Sequence, residues 1–249
     1  MSNNTNTNTN KVALVTGGSG GVGSEIARRL AREGAAVVLT YANGAEAAQQ
    51  VVAAIEAAGG QARAVRADVA NPDDVVALFK AVLEQYGRLD IVVNNAGVIA
   101  PGPIAAVTEE AYAKVFDVNV RGALLVLREA AKVLADGGRV INISSTMVGA
   151  PIAGSALYAA SKAALEAFGR VLSKEVGARG ITVNTLRLGA TIPGMFAKAP
   201  PERQAAFAEA SPFKRLGTPQ DSADVVAFLT GDGGRWVTGQ VITVDGGAT

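Results

Sequence analysis

Tyr158 and Lys162 stand four residues apart in "SALYAASKAAL", a run of small helix formers. That spacing places both side chains on one face of a helix. The chain contains no histidine and no cysteine, so the commonest acid-base and nucleophilic groups are missing. A tyrosine with an ordinary pKa of about 10 is a poor acid-base group at neutral pH unless its surroundings lower that value. Proton transfer by this pair therefore depends on what the rest of the chain places beside it.

The positioning elements are legible as an alternation. "KVALVT", "AVVLTY", "ARAVRAD", "LDIVVNN", "GRVINISS", "ITVNTLRL" and "QVITVD" read as strands. Helical segments separate them: "GSEIARRLAREG", "AEAAQQVVAAIEAAGG", a helix opened by Asn71 as cap with Pro72 in its first turn, and a long helical region capped by Thr108. Further helices run from about Leu157 and over about Gln220 to Thr230. Strands apolar on both faces, alternating with helices, predict an α/β fold: one Rossmann-like, doubly wound parallel sheet of about seven strands with helices on both faces. The predicted domain spans residues 11–249. Residues 189–219 are Pro/Gly-rich and irregular with one helical piece, "PERQAAFAEA", and are expected to be a substrate lid. Residues 1–10, "MSNNTNTNTN", are low-complexity and are expected to be a disordered tail.

Composition narrows the function classes. With 23 basic and 22 acidic residues the formal charge is +1, which gives no general pull toward nucleic acid or membrane. No run of 18 apolar residues is present and the N-terminus is polar, which predicts a soluble, cytoplasmic protein. The lack of Cys removes disulfides and thiolate catalysis, and the lack of His removes the usual transition-metal sites. No metal site is assigned.

"VALVTGGSGGVGSEIA" runs from strand through glycine-rich turn to helix. A dinucleotide needs a tight turn, a close backbone approach to its pyrophosphate and a helix N-terminus aimed at it. Gly17, Gly21 and Gly23 fill those needs, with Ser19, Gly20 and Val22 completing the turn.

"TGGSGGVG" (Thr16 to Gly23), "NNAG" (Asn94 to Gly97), Asn119, Ser145 and Tyr158-x-x-x-Lys162 occur in that order. This pattern, from Lys11 to the C-terminal "VTGQVITVDGG", resembles the short-chain dehydrogenase/reductase family, nearest its 3-oxoacyl carrier-protein reductase and ketoreductase branch. The resemblance implies hydride transfer between a nicotinamide and a ketone or secondary alcohol. It implies that Lys162 binds the nicotinamide ribose and that its charge favours the Tyr158 tyrosinate, an effect of about 1–3 pKa units at such range. Tyr158 is then general acid in reduction and general base in oxidation. Ser145 stabilises the developing alkoxide. Asn119 holds a water that links Lys162 to solvent, or is a helix-interior Asn satisfying backbone groups at a kink. Asn95, Ala96 and Gly97 approach the adenosine ribose, with Asn94 tying strands together. Asp68, followed by Val69, contacts the adenine amino group or is an ordinary loop acid.

The end of the second strand, "LTYANG", has no acid before Glu46, and Thr40, Tyr41 and Asn43 can hydrogen-bond a 2′-phosphate. This favours NADPH/NADP+, with NADH/NAD+ also accepted, because Gly20 stands where many NADPH-dependent relatives carry Arg. After the sixth strand the family's Pro-Gly is replaced by Leu188-Gly189, and Pro193 falls where a carboxamide-contacting Thr would align; Thr191 is the substitute. Leu188, Met195 and Phe196 are expected to form an apolar cover over the substrate. Asp136 stands where a base would help meet an acidic carrier protein, although Arg179 is near. A small-molecule carbonyl or alcohol is therefore the expected partner, with a 3-oxoacyl carrier-protein reductase and a non-catalytic dinucleotide-binding sensor as alternatives. The resemblance also implies a homotetramer, through long apolar helices such as "GALLVLREAAKVL".

Overall fold

A computed structural model describes residues 8–249. The chain runs β1 (Val12–Val15), α1 (Gly21–Arg32), β2 (Ala36–Tyr41), α2 (Ala45–Ala57), β3 (Gln61–Arg66), α3 (Pro72–Tyr86) and β4 (Ile91–Asn94). It continues through α4 (Glu109–Phe116), α5 (Ala123–Val133), β5 (Arg139–Ser145), α6 (Ala156–Glu175), β6 (Thr182–Leu188), α7 (Pro201–Ala210), α8 (Pro219–Thr230) and β7 (Val241–Val244). All seven strands pair in parallel in the order β3-β2-β1-β4-β5-β6-β7. The chain leaves β1 toward one edge and returns to β4 on its other side. The order reverses there, and open α/β sheets place their ligand crevice at such a point.

The strands alternate faces, so each supplies two cores. Val12 and Leu14 of β1 face the layer of α3, α5 and α6, whereas Ala13 and Val15 face α1, α2 and α8. The β4 strand divides in the same way, with Val92 on one side and Ile91 and Val93 on the other. Double-sided burial is why these strands read as continuous apolar runs. Helix starts follow local chemistry: Asn71 Oδ1 accepts from the Asp73 N–H at 2.9 Å, and Thr108 Oγ1 accepts from the Ala111 N–H at 3.1 Å.

Two expectations need refinement. Of the polar tail expected over residues 1–10, residues 1–7 lie outside the described residues. Asn8 is fully buried, its N–H donates to Glu33 O at 3.0 Å, and its side chain accepts from Lys11 Nζ at 3.1 Å. Composition misreads it because the Asn8 backbone N–H bonds the end of α1 while its side-chain amide donates to the Thr230 hydroxyl at the end of α8. Second, the long helical region after Thr108 is interrupted by a π-helical segment, Asp117–Gly122, between α4 and α5.

The segment 189–219 is anchored at both ends. Ile192 N–H donates to Gly217 O at 3.0 Å, and Gly217 N–H to Ala190 O at 2.9 Å. Inside it, the rings of Phe196 and Phe207 are 5.0 Å apart. Among the described residues, no helix is long and apolar enough to cross a membrane, and no cluster of three or more metal-ligating side chains occurs.

A tight local constraint lies at Gly23, where an added Cβ would be 2.5 Å from both Gly17 O and Asn95 Nδ2. Gly23→Ala should therefore cost about 1–3 kcal/mol through overpacking. Thermal unfolding followed by circular dichroism measures this as a lowered Tm; an unchanged Tm would show that the turn yields.

Candidate active site

A cavity of about 800 Å³ opens over the C-terminal ends of the strands. Its floor is the turn after β1. Gly17 (φ 64°) and Gly21 (φ 52°) take left-handed conformations that glycine adopts without strain, and Gly23 lets α1 pack against the turn. Helix α1 has no side-chain cap at Gly20 and no acid in its first turn, so its leading N–H groups remain available to an anion. Gly20 and Val22 line the cavity; Ser19 does not.

The turns after β1 and β4 are stitched together. Thr16 Oγ1 accepts from the N–H groups of Asn95 (3.0 Å) and Ala96 (3.1 Å). Asn95 Nδ2 donates back to Thr16 O at 2.9 Å and Gly17 O at 3.1 Å. Asn94 ties deeper, donating to Ala123 O at 3.1 Å. Asn95, Ala96 and Gly97 thus form one wall, in which the Asn95 side chain is structural.

The end of β2 serves the turn as well. Thr40 Oγ1 accepts from the Gly17 N–H at 3.1 Å, and Thr40 O from the Gly18 N–H at 2.9 Å. Thr40 and Asn43 line the cavity, but Tyr41 packs against the core under α1 and α2 instead. Asp68 and Val69 line it from the end of β3, with Asp68 Oδ1 accepting from the Ala70 N–H at 3.0 Å. From the last residue of β6 onward, Leu188, Gly189, Thr191, Pro193, Met195 and Phe196 all reach the wall. Thr191 Oγ1 donates to Gly189 O at 3.0 Å.

Ser145, Tyr158 and Lys162 converge at the opposite end. Ser145 closes β5, and α6 lays Tyr158 and Lys162 across it, 8 % and 2 % exposed. Lys162 Nζ donates to Ile143 O at 2.8 Å and lies 5.7 Å from the centre of the Tyr158 ring. Gly97 makes room, because a Cβ there would stand 3.2 Å from Lys162 Nζ and 3.3 Å from Asn119 Oδ1. Asn119 itself is buried rather than on the cavity wall. Its Oδ1 accepts from the Val98 N–H at 2.8 Å, and its Nδ2 donates to Val98 O at 2.8 Å and Ser161 Oγ at 3.0 Å. It sits in the π-helical segment, a distortion that often marks functional sites.

The electrostatics correct one expectation. Burial pushes Tyr158 up to about 12, outweighing the Ser145 hydrogen bond that draws it down. The Lys162 ammonium bonds Ile143 O and stands 5.7 Å from the ring centre, and burial brings its own pKa down to about 8. Desolvation of both groups favours their neutral forms. Tyr158 is thus held protonated at neutral pH.

The sequence pattern includes Thr16 but gives it no role of its own, although a strand-end hydroxyl just before the glycine turn is a readable signal. It also passed over Met147, Lys198 and Phe207, which line the cavity from irregular segments and α7.

This arrangement defines a dinucleotide-binding oxidoreductase architecture, and comparisons with known proteins agree. A family model described as Enoyl-(Acyl carrier protein) reductase matches residues 17–249. An oxidoreductase of Methylorubrum extorquens is 46% identical over 240 residues, covering 95% of this chain and 97% of its own. A versicolorin reductase of Emericella nidulans is 41% identical over 251 residues, covering 96% and 95%. The crystal structure of a short-chain dehydrogenase from Burkholderia cenocepacia in complex with NADP superposes with a TM-score of 0.93 at 42% identity, covering 97% of this chain and 99% of that one. The chain belongs to the short-chain dehydrogenase/reductase family of oxidoreductases.

The Asn119 amide satisfies both polar groups of Val98. Asn119→Ala should therefore destabilise the fold by about 2–4 kcal/mol, since each orphaned backbone group costs about 1–3 kcal/mol. Urea unfolding would report a lower midpoint at constant slope, and an unchanged midpoint would mean that water replaces the amide.

Proposed function

We propose that this chain is an NADP(H)-dependent carbonyl reductase, interconverting a small-molecule ketone and its secondary alcohol, with NAD(H) as the weaker cofactor. The observation that carries this reading is the convergence of Ser145, Tyr158 and Lys162 in the same cavity that receives the open N-terminus of α1. The cavity fits a dinucleotide: its turn rejects a Cβ at Gly23, and its helix end offers uncapped N–H groups. The end of β2 contributes Thr40 and Asn43 and no carboxylate, so nothing there repels a 2′-phosphate. The NADP found in the Burkholderia relative supports the same choice.

Bound nicotinamide supplies or accepts the hydride. The residues of this chain supply the remainder. Tyr158, protonated, donates its hydroxyl proton to the carbonyl oxygen, and Ser145 Oγ hydrogen-bonds that oxygen as negative charge develops. Lys162 orients the cofactor ribose with its ammonium. Asn119 Oδ1 and Lys162 Nζ flank the same space beside Gly97, close enough for one bridging water to return a proton from solvent. Asp68 meets the adenine, and Gly189 with Thr191 meets the nicotinamide amide.

The segment 189–219 serves as the cover of the substrate space. The apolar side chains of Ile99, Met147, Met195, Phe196 and Phe207 favour a bulky apolar carbonyl compound. A carrier-protein substrate is disfavoured: Arg179 Nε is bound to Asp136 Oδ1 at 2.8 Å, before β5 and therefore at the far end of the sheet. We further infer a cytoplasmic protein, in keeping with its lack of cysteine, and a homotetramer. The assembly is supported by Leu124 of α5 and Val171 of α6, apolar residues 47% and 58% exposed.

Oxidation of NADPH and NADH at 340 nm, against ketones and an acetoacetyl thioester, tests the reading. Tyr158→Phe should lower kcat by about 10²–10⁴-fold while cofactor fluorescence titration shows unchanged binding. Cofactor binding without any turnover by the unsubstituted chain would favour the non-catalytic sensor.

The two displaced pKa values give a signed pH dependence. Reduction uses protonated Tyr158 and charged Lys162, so it should be flat below about pH 8 and fall above it as Lys162 loses its charge. Alcohol oxidation needs tyrosinate and should rise with pH across the neutral range. Initial rates in both directions from pH 6 to 10 decide this; oxidation that falls as pH rises would contradict the assignment.

A further inference from the structure

Behind Ser145 and Tyr158 lies an ion pair that none of these roles uses. Glu166, two turns along α6 from Tyr158, is 1 % exposed. Its carboxylate is gripped by Arg187 of β6, Nε to Oε1 and Nη2 to Oε2, both at 2.7 Å. The Ser144 hydroxyl donates to the same Oε1 at 2.9 Å. Ser144 and Arg187 are register partners across β5 and β6, so one carboxylate clamps a strand pair to the helix above it. On its other side Arg187 Nη1 stands 3.1 Å from the point where a Gly149 Cβ would be. The guanidinium therefore also backs the Thr146–Val148 turn, from which the Met147 N–H donates to Ser145 Oγ at 3.2 Å.

Three elements are tied at this point: α6 with Tyr158 and Lys162, β5 with Ser145, and the turn that holds the Ser145 oxygen. A buried carboxylate is strongly unfavourable unless it is paired and hydrogen-bonded, so α6 cannot shift against β6 without straining the ion pair, nor against β5 without straining the Ser144 hydrogen bond. An apolar contact would tolerate a small slide; a two-bond fork does not, because its geometry is planar and directional. The displacement that matters is small, since misplacement by about 1 Å of a catalytic group is costly.

We propose that Glu166 and Arg187 are positioning residues whose ion pair, with Ser144, sets the Tyr158 hydroxyl against the Ser145 hydroxyl. The inference rests on the carbonyl reductase reading. It adds residues that act only through their neighbours; Glu166 and Arg187 lie outside the cavity wall, and Ser144 lies on it.

The test compares Arg187→Lys, Glu166→Gln and Ser144→Ala with the unsubstituted enzyme for kcat, KM for NADPH, solvent deuterium isotope effect and Tm. Lysine keeps the charge but lacks the fork. Arg187→Lys should lower kcat about tenfold with KM for NADPH within twofold, and the isotope effect should rise as proton transfer becomes limiting. Glu166→Gln should lower kcat at least as much, and Ser144→Ala about threefold. A lowered Tm with kcat and isotope effect unchanged would overturn the proposal, leaving the pair a structural strut. Should the charge variants fail to fold, Ser144→Ala, which removes the hydroxyl that couples the pair to β5, tests that coupling directly: an unchanged kcat overturns the proposal. An active unsubstituted enzyme with indifferent variants rejects only the positioning role. An unsubstituted enzyme that turns over no carbonyl rejects both this role and the reading beneath it.

Discussion

A lysine buried to 2 % exposure is the constraint around which this site is arranged. An ammonium taken out of water must be given partners or lose its charge. Here both responses are visible: Nζ bonds Ile143 O at 2.8 Å, and the pKa falls to about 8. The rest of the site follows from making that burial feasible. Gly97 leaves room there, since a Cβ would press on Nζ at 3.2 Å, and Asn119 fixes the loop that carries Gly97 by binding both polar groups of Val98. The π-helical segment delivers Asn119 to that loop. Helix α6 must then cross β5 at one height, which places Tyr158 over Ser145.

The two halves of the cavity use different materials. Toward β1 and β2 the wall is backbone: glycine turns, helix N–H groups and strand-end amides, with Thr16, Thr40 and Asn95 spent on holding one turn to the next. Toward β5 and β6 the work is done by side chains. Sequence positions in the first half are therefore constrained by the absence of a Cβ, and in the second by a specific polar atom.

That difference explains what the sequence revealed. The alternation of seven strands and their helices was legible because parallel strands buried on both faces are apolar throughout, and because Asn71 and Thr108 are ordinary caps. The order Thr16-to-Gly23, Asn94-to-Gly97, Asn119, Ser145, Tyr158 and Lys162 was legible as a pattern. Asn119 was read both as a relay and as a residue at a kink, and its hydrogen bonds fit the second while leaving Oδ1 beside Gly97. The sign of the Tyr158 shift was not legible, since it depends on how deeply two side chains are buried and where one ammonium points. Glu166 and Arg187 were also hidden: they lie 21 residues apart, on a helix and a strand, and each alone looks like a surface charge. Asn8 was concealed by the repetitive segment around it.

The raised Tyr158 value bears on which direction of chemistry the fold favours. A phenol displaced upward to about 12 is a weaker acid than tyrosine in water, a handicap only if its task is to release a proton to solvent. In carbonyl reduction the acceptor is a developing alkoxide, a much stronger base than tyrosinate, so proton transfer from such a phenol still runs downhill. The upward shift guarantees that the group is loaded with its proton at every neutral pH. Oxidation meets the opposite condition, because the same burial makes the required tyrosinate scarce. A positive charge near the hydroxyl opposes this shift, and the ammonium stands 5.7 Å from the ring centre while it bonds Ile143 O. The protonated state of Tyr158 is thus set by its own burial, a consequence of packing as much as of the identity of the residue.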